Sequence, residues 1–168
     1  MAEGVTGMAN DTAGVIAPPP LIALGALLIG LALDWLAPAY VLTVLLSFDT
    51  RLPLGLLLIA LGGLLAYGGM RSFRRAATAV NPYAPSTALA TTGVYAYLRN
   101  PMYVALGLIV GGVGIALASD WTLVMLVAAA LTVHFGVVKR EERYLTAKFG
   151  DAYVRYRAAV PRYGLRAR

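Results

Sequence analysis

The chain contains no cysteine and only one histidine, His134, among its 168 residues. The lack of cysteine excludes disulfide bonds, a thiolate metal site and a cysteine nucleophile. A single histidine argues against a metal site built from imidazole ligands, and we expect neither a metal ion nor nucleic acid as a partner. Charged residues are scarce too, at 13% against about 25% in an ordinary soluble domain. With 60% hydrophobic residues and a mean hydropathy of +0.73, the sequence predicts an integral membrane protein with one domain, residues 1–168.

Four apolar runs have the length of a membrane span, which is about 20 residues for a hydrocarbon core of about 30 Å. They cover residues 19–38, 52–70, 101–119 and 121–138. Isolated strands would leave backbone groups unpaired in lipid, so the fold class is all-α, a polytopic helix bundle with about four transmembrane helices. Residues 39–46 are too short to span after Pro38. We interpret them as an interfacial segment, and a fifth short or re-entrant helix remains the alternative.

The basic residues set the expected topology. Thirteen of the 14 Lys and Arg lie within residues 71–99 or 139–168, and Arg51 is the exception. Four spans place both basic segments and both termini on one side, which the positive-inside rule makes cytoplasmic. We therefore expect a bacterial inner (plasma) membrane protein whose basic face attracts anionic lipids. Residues 1–18 hold no Lys or Arg and no apolar core, so they predict a flexible tail rather than a secretory signal.

Small and polar residues within the first two spans suggest packing rather than chemistry. Glycines allow helices to approach each other closely in lipid, and we expect this of Gly25 and Gly30 and of the five glycines of the second span. Asp34 is interpreted as a solvated residue at the membrane boundary. The loop between the second and third spans contains turn signals at Asn81-Pro82, and its tyrosines, Tyr83 among them, favour an ordered loop.

The third and fourth spans are separated only by Ser119-Asp120, which predicts a tight antiparallel helical hairpin. Its open ends, at residues 99–103 and 138–142, must then lie close together. Beyond residue 138 the apolar positions keep a helical spacing as far as Gly150, a typical helix stop. A second helical pattern ends near Pro161. We predict a C-terminal cytoplasmic amphipathic helical segment that folds back over the hairpin.

Two polar clusters at the open end of this hairpin could carry chemistry. Glu141 and Glu142 are adjacent and point to different faces of a helix, so one could turn inward toward a ligand ammonium or ribose hydroxyls. Arg99 precedes a helix that starts at Pro101, where free amides and a guanidinium suit a carboxylate. His134 lies two helical turns before Glu141, on the same face of a regular helix. The alternatives are a solvated acidic pair, a helix cap with a membrane anchor, and a neutral structural histidine.

The two clusters, in this order around a short hairpin, resemble the isoprenylcysteine carboxyl methyltransferase family, which is similar to the phospholipid methyltransferases. The first signature is residues 92–103, TGVYAYLRNPMY, and the second is residues 140–162, REERYLTAKFGDAYVRYRAAVPR. Phe73-Arg74-Arg75 with Thr78 also looks like the family's stretch after the preceding helix. The resemblance covers residues 73–162, which we take as the cofactor-binding catalytic region.

The resemblance implies an enzyme that binds S-adenosylmethionine in a cytoplasmic-side pocket and methylates a lipid or prenylated acceptor. Carboxyl O-methylation of an isoprenylcysteine-type substrate is the first expectation; phospholipid N-methylation and a non-enzymatic scaffold or subunit are the alternatives. Asn100 stands where many members have histidine, and an asparagine cannot act as a base. A carboxylate acceptor needs no base and could be oriented by Arg99 or Arg155, whereas an amine acceptor would need one, for which a glutamate or His134 is a candidate.

The site residues follow from the clusters and the resemblance together. Catalytic roles are assigned to Arg99, Tyr103, Glu142 and Arg155. Cofactor binding is assigned to Tyr97, Leu98, Arg99, Asn100, Pro101, Tyr103, His134, Glu141 and Glu142.

Overall fold

The computed structural model describes residues 12–78 and 84–164, and every regular element within them is helical. Tyr83 and the turn predicted at Asn81-Pro82 lie outside the described residues, as does most of the predicted N-terminal tail. The α-helices are α1 (Pro19–Leu36), α2 (Val41–Leu45), α3 (Phe48–Arg75), α4 (Pro101–Leu117), α5 (Asp120–Val133), α6 (Lys139–Phe149) and α7 (Asp151–Ala159). A 3₁₀ turn, Gly93–Ala96, precedes α4, and a π turn, His134–Val138, joins α5 to α6.

The four predicted spans are present as an all-helical membrane bundle. Three helical segments are long and apolar enough to cross a membrane, namely α1, α3 and the continuous run Asp120–Phe149, and α4 is a shorter apolar helix. The second span was predicted too short, because α3 extends beyond its apolar core at both ends. Asp49 in its first turn and Arg74 and Arg75 in its last turn complement the helix dipole and prolong the helix into the polar layer.

Glycines set the closest helix contacts. α1 packs against α5 and α4, and α3 packs along α4. A Cβ atom at Gly62 would lie 2.8 Å from the carbonyl oxygen of Ala105, so only glycine permits this approach of α3 to α4. Gly30 is similarly close to Thr122. The prediction was wrong for Gly25 and Gly63, where a Cβ atom would meet nothing within 4 Å, so neither glycine makes a close helix contact.

The turn between α4 and α5 is tied to the helices around it. The Ser119 hydroxyl donates to the Asp34 carboxylate, and the Trp121 amide donates to it at 3.4 Å. Asp34 is therefore a partner of the turn and not a freely solvated residue, which corrects the expectation. Both oxygens of Asp120 accept from backbone amides of α2, those of Val41 and Leu42, at 2.8 and 2.9 Å. This carboxylate caps the single helical turn Val41–Leu45. Residues 39–46 thus contain the short fifth helix that was the alternative for this segment, and the helix is too short to span a membrane.

The hairpin of α4 and α5 forms as predicted. Ser119 caps α5 by accepting the Thr122 amide at 3.2 Å, so the chain reverses with no intervening loop. We call the end of the bundle with this turn the far end. The opposite end, where α3 ends and α4 begins, is called the site end.

Candidate active site

The hairpin brings the two polar clusters into direct contact at the site end. Nη1 of Arg99, just before α4, donates to Oε1 of Glu142 in α6 at 2.6 Å. The hydroxyl of Tyr103, in the first turns of α4, donates to Oε1 of Glu141 at 2.7 Å. The adjacent glutamates point to different partners, as their spacing on a helix requires, and both partners come from the first cluster.

The segment after α7 closes over the start of α4. The amide of Arg99 donates to the Pro161 carbonyl at 2.9 Å, and the amide of Asn100 donates to the Arg162 carbonyl at 3.2 Å. The side-chain amide of Asn100 donates to the same Arg162 carbonyl at 3.1 Å. Asn100 is buried, and this bond gives it a structural role that needs no proton transfer. We call residues 160–162 the tail clamp.

Glu142 is held between two guanidinium groups. Arg162 donates to it from both Nε and Nη2, at 2.8 and 2.7 Å, in addition to the bond from Arg99. The side chains of Arg99 and Glu142 are only 8% and 11% exposed, whereas that of Arg162 is 34% exposed. The hydrogen bond to Glu142 raises the pKa of Arg162. Glu142 is thus neutralised by its neighbours and acts as the anchor that joins α6, the tail clamp and Arg99.

Glu141 has a different environment. Tyr103 donates to its carboxylate, and no described Lys or Arg lies within ion-pair distance of it. A buried carboxylate is normally paired with a cation. Glu141 also lines a cavity at the site end of the bundle. A carboxylate that faces a cavity without a cation of its own is suited to a positively charged ligand.

The cavity has a volume of about 660 Å³, within the range of about 300–1,000 Å³ of small-molecule sites. Its polar end contains Arg99, Tyr103 and Glu141, and its apolar end follows α4 to Leu106 and Ile109. The other walls come from the start of α1, the inner face of α3, and the loop before α4. Their lining residues include Pro19, Pro20, Ala66, Phe73, Leu89 and Ala90. The cavity therefore extends from the polar end of the hairpin into the apolar part of the bundle.

Tyrosines surround the polar end. The hydroxyl of Tyr156 in α7 donates to the Tyr95 carbonyl at 2.7 Å, which ties α7 to the turn before α4. The hydroxyl of Tyr153 accepts from Nη1 of Arg99 at 3.3 Å. Burial raises the pKa of Tyr95, Tyr153 and Tyr156. These phenols are therefore protonated at neutral pH. The Tyr95 carbonyl accepts the hydrogen bond of Tyr156, whereas the Tyr153 hydroxyl accepts from Arg99 and keeps its own proton for donation.

Five of the predicted site residues lie elsewhere. Pro101 is buried as the first residue of α4, Leu98 is half-buried beside it, and neither lines the cavity. Tyr97 is 75% exposed. Arg155 lies on the exposed face of α7 and does not line the cavity. The structure brings together only the other predicted site residues, Arg99, Asn100, Tyr103, Glu141 and Glu142.

His134 is the fifth, and it is displaced by the π turn. A π turn adds one residue to a helical turn, so two positions seven apart across it no longer share a face. The ring nitrogen Nδ1 of His134 lies 2.8 Å from the Tyr163 hydroxyl, and His134 does not line the cavity. The expectation that His134 and Glu141 share one face was wrong for this reason. The alternative was a histidine bonded to a neighbouring helix, but its partner Tyr163 follows α7 and lies in no helix.

Sequence reasoning missed the tail clamp and the tyrosines. Arg162 donates two of the three described hydrogen bonds from arginines to Glu142, yet it appeared only as the end of the second signature. The signal was available in Tyr153 and Tyr156, whose spacing of three places both on one face of α7. That face packs toward the cavity, and both side chains line it.

The phospholipid methyltransferase family matches the chain over residues 50–152. A relative is the protein-S-isoprenylcysteine O-methyltransferase of Schizosaccharomyces pombe, 37% identical over 75 residues, which are 44% of this chain. The aligned segment spans 31% of the length of that relative. No solved structure matches the chain. These matches confirm the resemblance found in the two signatures. The chain is an integral membrane protein that belongs to the phospholipid methyltransferase family.

Proposed function

We propose that the protein transfers a methyl group from S-adenosylmethionine to a lipid-like acceptor at the cytoplasmic membrane face. The proposed reaction is carboxyl O-methylation of an isoprenylcysteine-type substrate. One observation carries the proposal: one cavity joins Glu141, a carboxylate that no described Lys or Arg pairs with, to an apolar channel along α4. The named activity of the fission yeast relative supports the choice of acceptor.

The polar end fits the methyl donor. S-adenosylmethionine carries an ammonium and a sulfonium, and Glu141 is the cavity carboxylate that no described basic residue neutralises. Tyr103 holds Glu141 in place through its hydrogen bond, and Asn100 and Arg99 line the same polar end of the cavity. Glu142 also borders the cavity, but its charge is matched by Arg99 and Arg162. We therefore assign cofactor contact to Glu141 and positioning to Glu142.

When bound, S-adenosylmethionine supplies a methyl group on an electrophilic sulfonium. The residues around it have to align the acceptor with that methyl group and exclude water. A carboxylate acceptor attacks with an oxygen lone pair while the carbon–sulfur bond breaks, so no proton has to move. Among the described residues, Arg99 is the only basic side chain that lines the cavity. Its Nε and Nη1 are used by Val160, Glu142 and Tyr153, which leaves Nη2 to orient the acceptor carboxylate.

Phospholipid N-methylation is the second candidate, favoured by the description of the matching family. An amine acceptor must lose a proton when its nitrogen gains the methyl group. Glu141 is the cavity group that could accept this proton, because His134 lies outside the cavity. The two reactions therefore differ in what they require of Glu141. O-methylation requires only its negative charge, to bind the cofactor, whereas N-methylation requires that charge and the ability to accept a proton.

Calorimetric titration with S-adenosylhomocysteine tests the cofactor site. In detergent or nanodiscs, the wild-type protein should bind it saturably. Glu141→Gln should weaken binding about 10- to 150-fold, since a hydrogen bond to a charged group contributes about 1.5–3 kcal/mol. Asp49→Asn, which removes an exposed carboxylate in the first turn of α3, is the control and should bind as the wild type does. No binding by folded wild-type protein in either environment would refute the methyltransferase assignment.

The acceptor is tested with methyl-labelled S-adenosylmethionine and two substrates, an S-farnesylcysteine derivative and phosphatidylethanolamine. A methyl ester releases labelled methanol in alkali, whereas a methylamine retains its label. We expect label on the farnesylcysteine derivative and its release by alkali. Alkali-stable label on phosphatidylethanolamine, abolished by Glu141→Gln even at saturating donor, would establish the second candidate instead.

A further inference from the structure

A second concave surface lies at the site end and shares Glu142 with the cavity. It is an open groove of about 670 Å³ along α6, between the π turn and α7. We call it the basic groove, because four of its lining side chains are cationic. They are Lys139, Arg143, Arg157 and Arg162.

The charge of this groove is not balanced by protein groups. Its only carboxylate among the described residues is that of Glu142, which Arg99 and Arg162 already neutralise. Within the same described ranges, no carboxylate lies within ion-pair distance of Lys139, Arg143 or Arg157. Three cations thus line one groove without a counter-charge. All three side chains are exposed, so water screens their mutual repulsion, and together they give the groove a positive potential that attracts an anion.

Arg162 faces both the cavity side and the groove. Its Nε and Nη2 are bonded to Glu142, and no described group accepts from its Nη1. One side of the guanidinium thus holds the anchor, and the remaining nitrogen is available to a ligand in the groove. A planar guanidinium with a free edge is well suited to a phosphate oxygen.

The position of the groove indicates the kind of anion. It begins where the apolar helix α5 gives way to the polar helix α6, and we expect such a change of polarity at the level of lipid headgroups. Phe135, which lines the groove, is 57% exposed, and Lys139 Nζ lies 4.4 Å from its ring centroid. Tyr163, next to Arg162, is 45% exposed. Exposed aromatic rings beside basic side chains are typical of a membrane–water interface.

We propose that the basic groove binds the phosphate of an anionic membrane lipid headgroup. Each Lys or Arg near an anionic membrane surface contributes to attraction, and here three unneutralised cations converge on one groove. The bound phosphate contacts Nη1 of Arg162, and the acyl chains lie along the exposed apolar face that includes Phe135. This inference does not depend on the proposed reaction, because none of the three unneutralised cations lines the cavity.

Native mass spectrometry of the protein released from nanodiscs tests this proposal. The nanodiscs contain equal amounts of phosphatidylglycerol and phosphatidylcholine, which differ in net charge. We expect one retained phosphatidylglycerol per chain, preferred at least about tenfold over phosphatidylcholine, which corresponds to about 1.4 kcal/mol. The triple variant Lys139→Gln, Arg143→Gln, Arg157→Gln should lose this preference. The single variant Arg157→Gln, at an exposed position of α7, should reduce the preference for phosphatidylglycerol. It provides a test of the groove if the triple variant does not fold.

The matched control removes the same number of charges from the same end of the bundle. It is the triple variant Arg71→Gln, Arg74→Gln, Arg75→Gln, whose side chains are exposed at the end of α3 and do not line the groove. We expect it to retain phosphatidylglycerol as the wild type does. Equal loss in both triple variants would overturn the proposal, because it points to general surface attraction. Loss in neither would overturn it as well, because the lipid would then bind elsewhere. Retention of inorganic phosphate by the wild type, with no preference for phosphatidylglycerol, would also overturn it and identify a soluble anion as the ligand.

Discussion

Replacing Gly62 by alanine tests whether the close approach of α3 to α4 shapes the apolar end of the cavity. The new Cβ would lie 2.8 Å from the Ala105 carbonyl oxygen and 2.7 Å from Cγ1 of Ile109. Ordinary contact at a Cβ begins at 3.4 Å. The helices would therefore have to separate by about 0.6 Å, the difference between 3.4 and 2.8 Å, to relieve the contact with the carbonyl oxygen.

Gly63→Ala is the matched control, because a Cβ at Gly63 meets nothing within 4 Å. Both substitutions gain about 1 kcal/mol of intrinsic helix propensity, so this contribution cancels between them. The steric cost remains in Gly62→Ala alone, at about 1–3 kcal/mol for an overpacked contact. At about 2–4 °C per kcal/mol for a chain of this size, Gly63→Ala should melt roughly 2–12 °C above Gly62→Ala.

Thermal unfolding of both variants in one detergent, followed by far-ultraviolet circular dichroism, measures this difference. A second measurement addresses the cavity. Ala105 and Ile109 line its apolar end, so Gly62→Ala should raise the KM for the lipid acceptor and leave the affinity for S-adenosylhomocysteine unchanged. If Gly62→Ala melts at or above the temperature of Gly63→Ala, the helices are not in the close contact that the geometry requires.

Three further substitutions test the network around the site and the turn. Glu142→Gln leaves buried Arg99 without its carboxylate, which costs at most about 3–5 kcal/mol and less because Arg162 is partly exposed. The melting temperature of this variant should fall, and adding Arg162→Gln should restore part of the lost stability. Melting at the wild-type temperature would contradict the anchor role of Glu142. Asp120→Ala removes the side-chain cap of α2, which costs about 1–2 kcal/mol. Amide hydrogen exchange in α2 should therefore become faster. An unchanged exchange rate would show that the cap is dispensable. Tyr156→Phe removes one hydrogen bond between α7 and the turn before α4 and should destabilise the protein by about 1 kcal/mol. An unchanged free energy of unfolding would mean that the Tyr156 hydroxyl bonds to water and not to the Tyr95 carbonyl.

Features with a short-range cause were predictable from the sequence. The helical hairpin follows from apolar length and from the absence of any loop between the third and fourth spans. Contact between Arg99 and Glu142 then follows from the hairpin alone, and it is observed at 2.6 Å. The different orientations of Glu141 and Glu142 follow from their adjacency on a helix. These conclusions needed only periodicity, length and charge.

Features that depend on tertiary contact were not predictable. The α2 turn is capped by Asp120, which lies 79 residues from Val41, and no local pattern encodes such a partner. Asp34 looked solvated because its own helix shows no polar neighbour, and its partner Ser119 comes from the distant turn between α4 and α5. The π turn at His134 shifts the helix face by about one residue, although the apolar pattern on both sides suggests a regular helix. The tail clamp pairs extended backbone groups, for which side-chain patterns carry no signal.

The tail clamp also sets the order in which the site can form during synthesis. Residues 160–162 follow all four apolar spans in the chain, yet they provide the carbonyl partners of Arg99 and Asn100 and the second guanidinium of Glu142. A nascent chain that has inserted every span still lacks these partners. The polar end of the cavity is therefore completed only after all four spans have been synthesised. Assembly in the membrane precedes assembly of the site, so a partly translated chain has no finished pocket to fill.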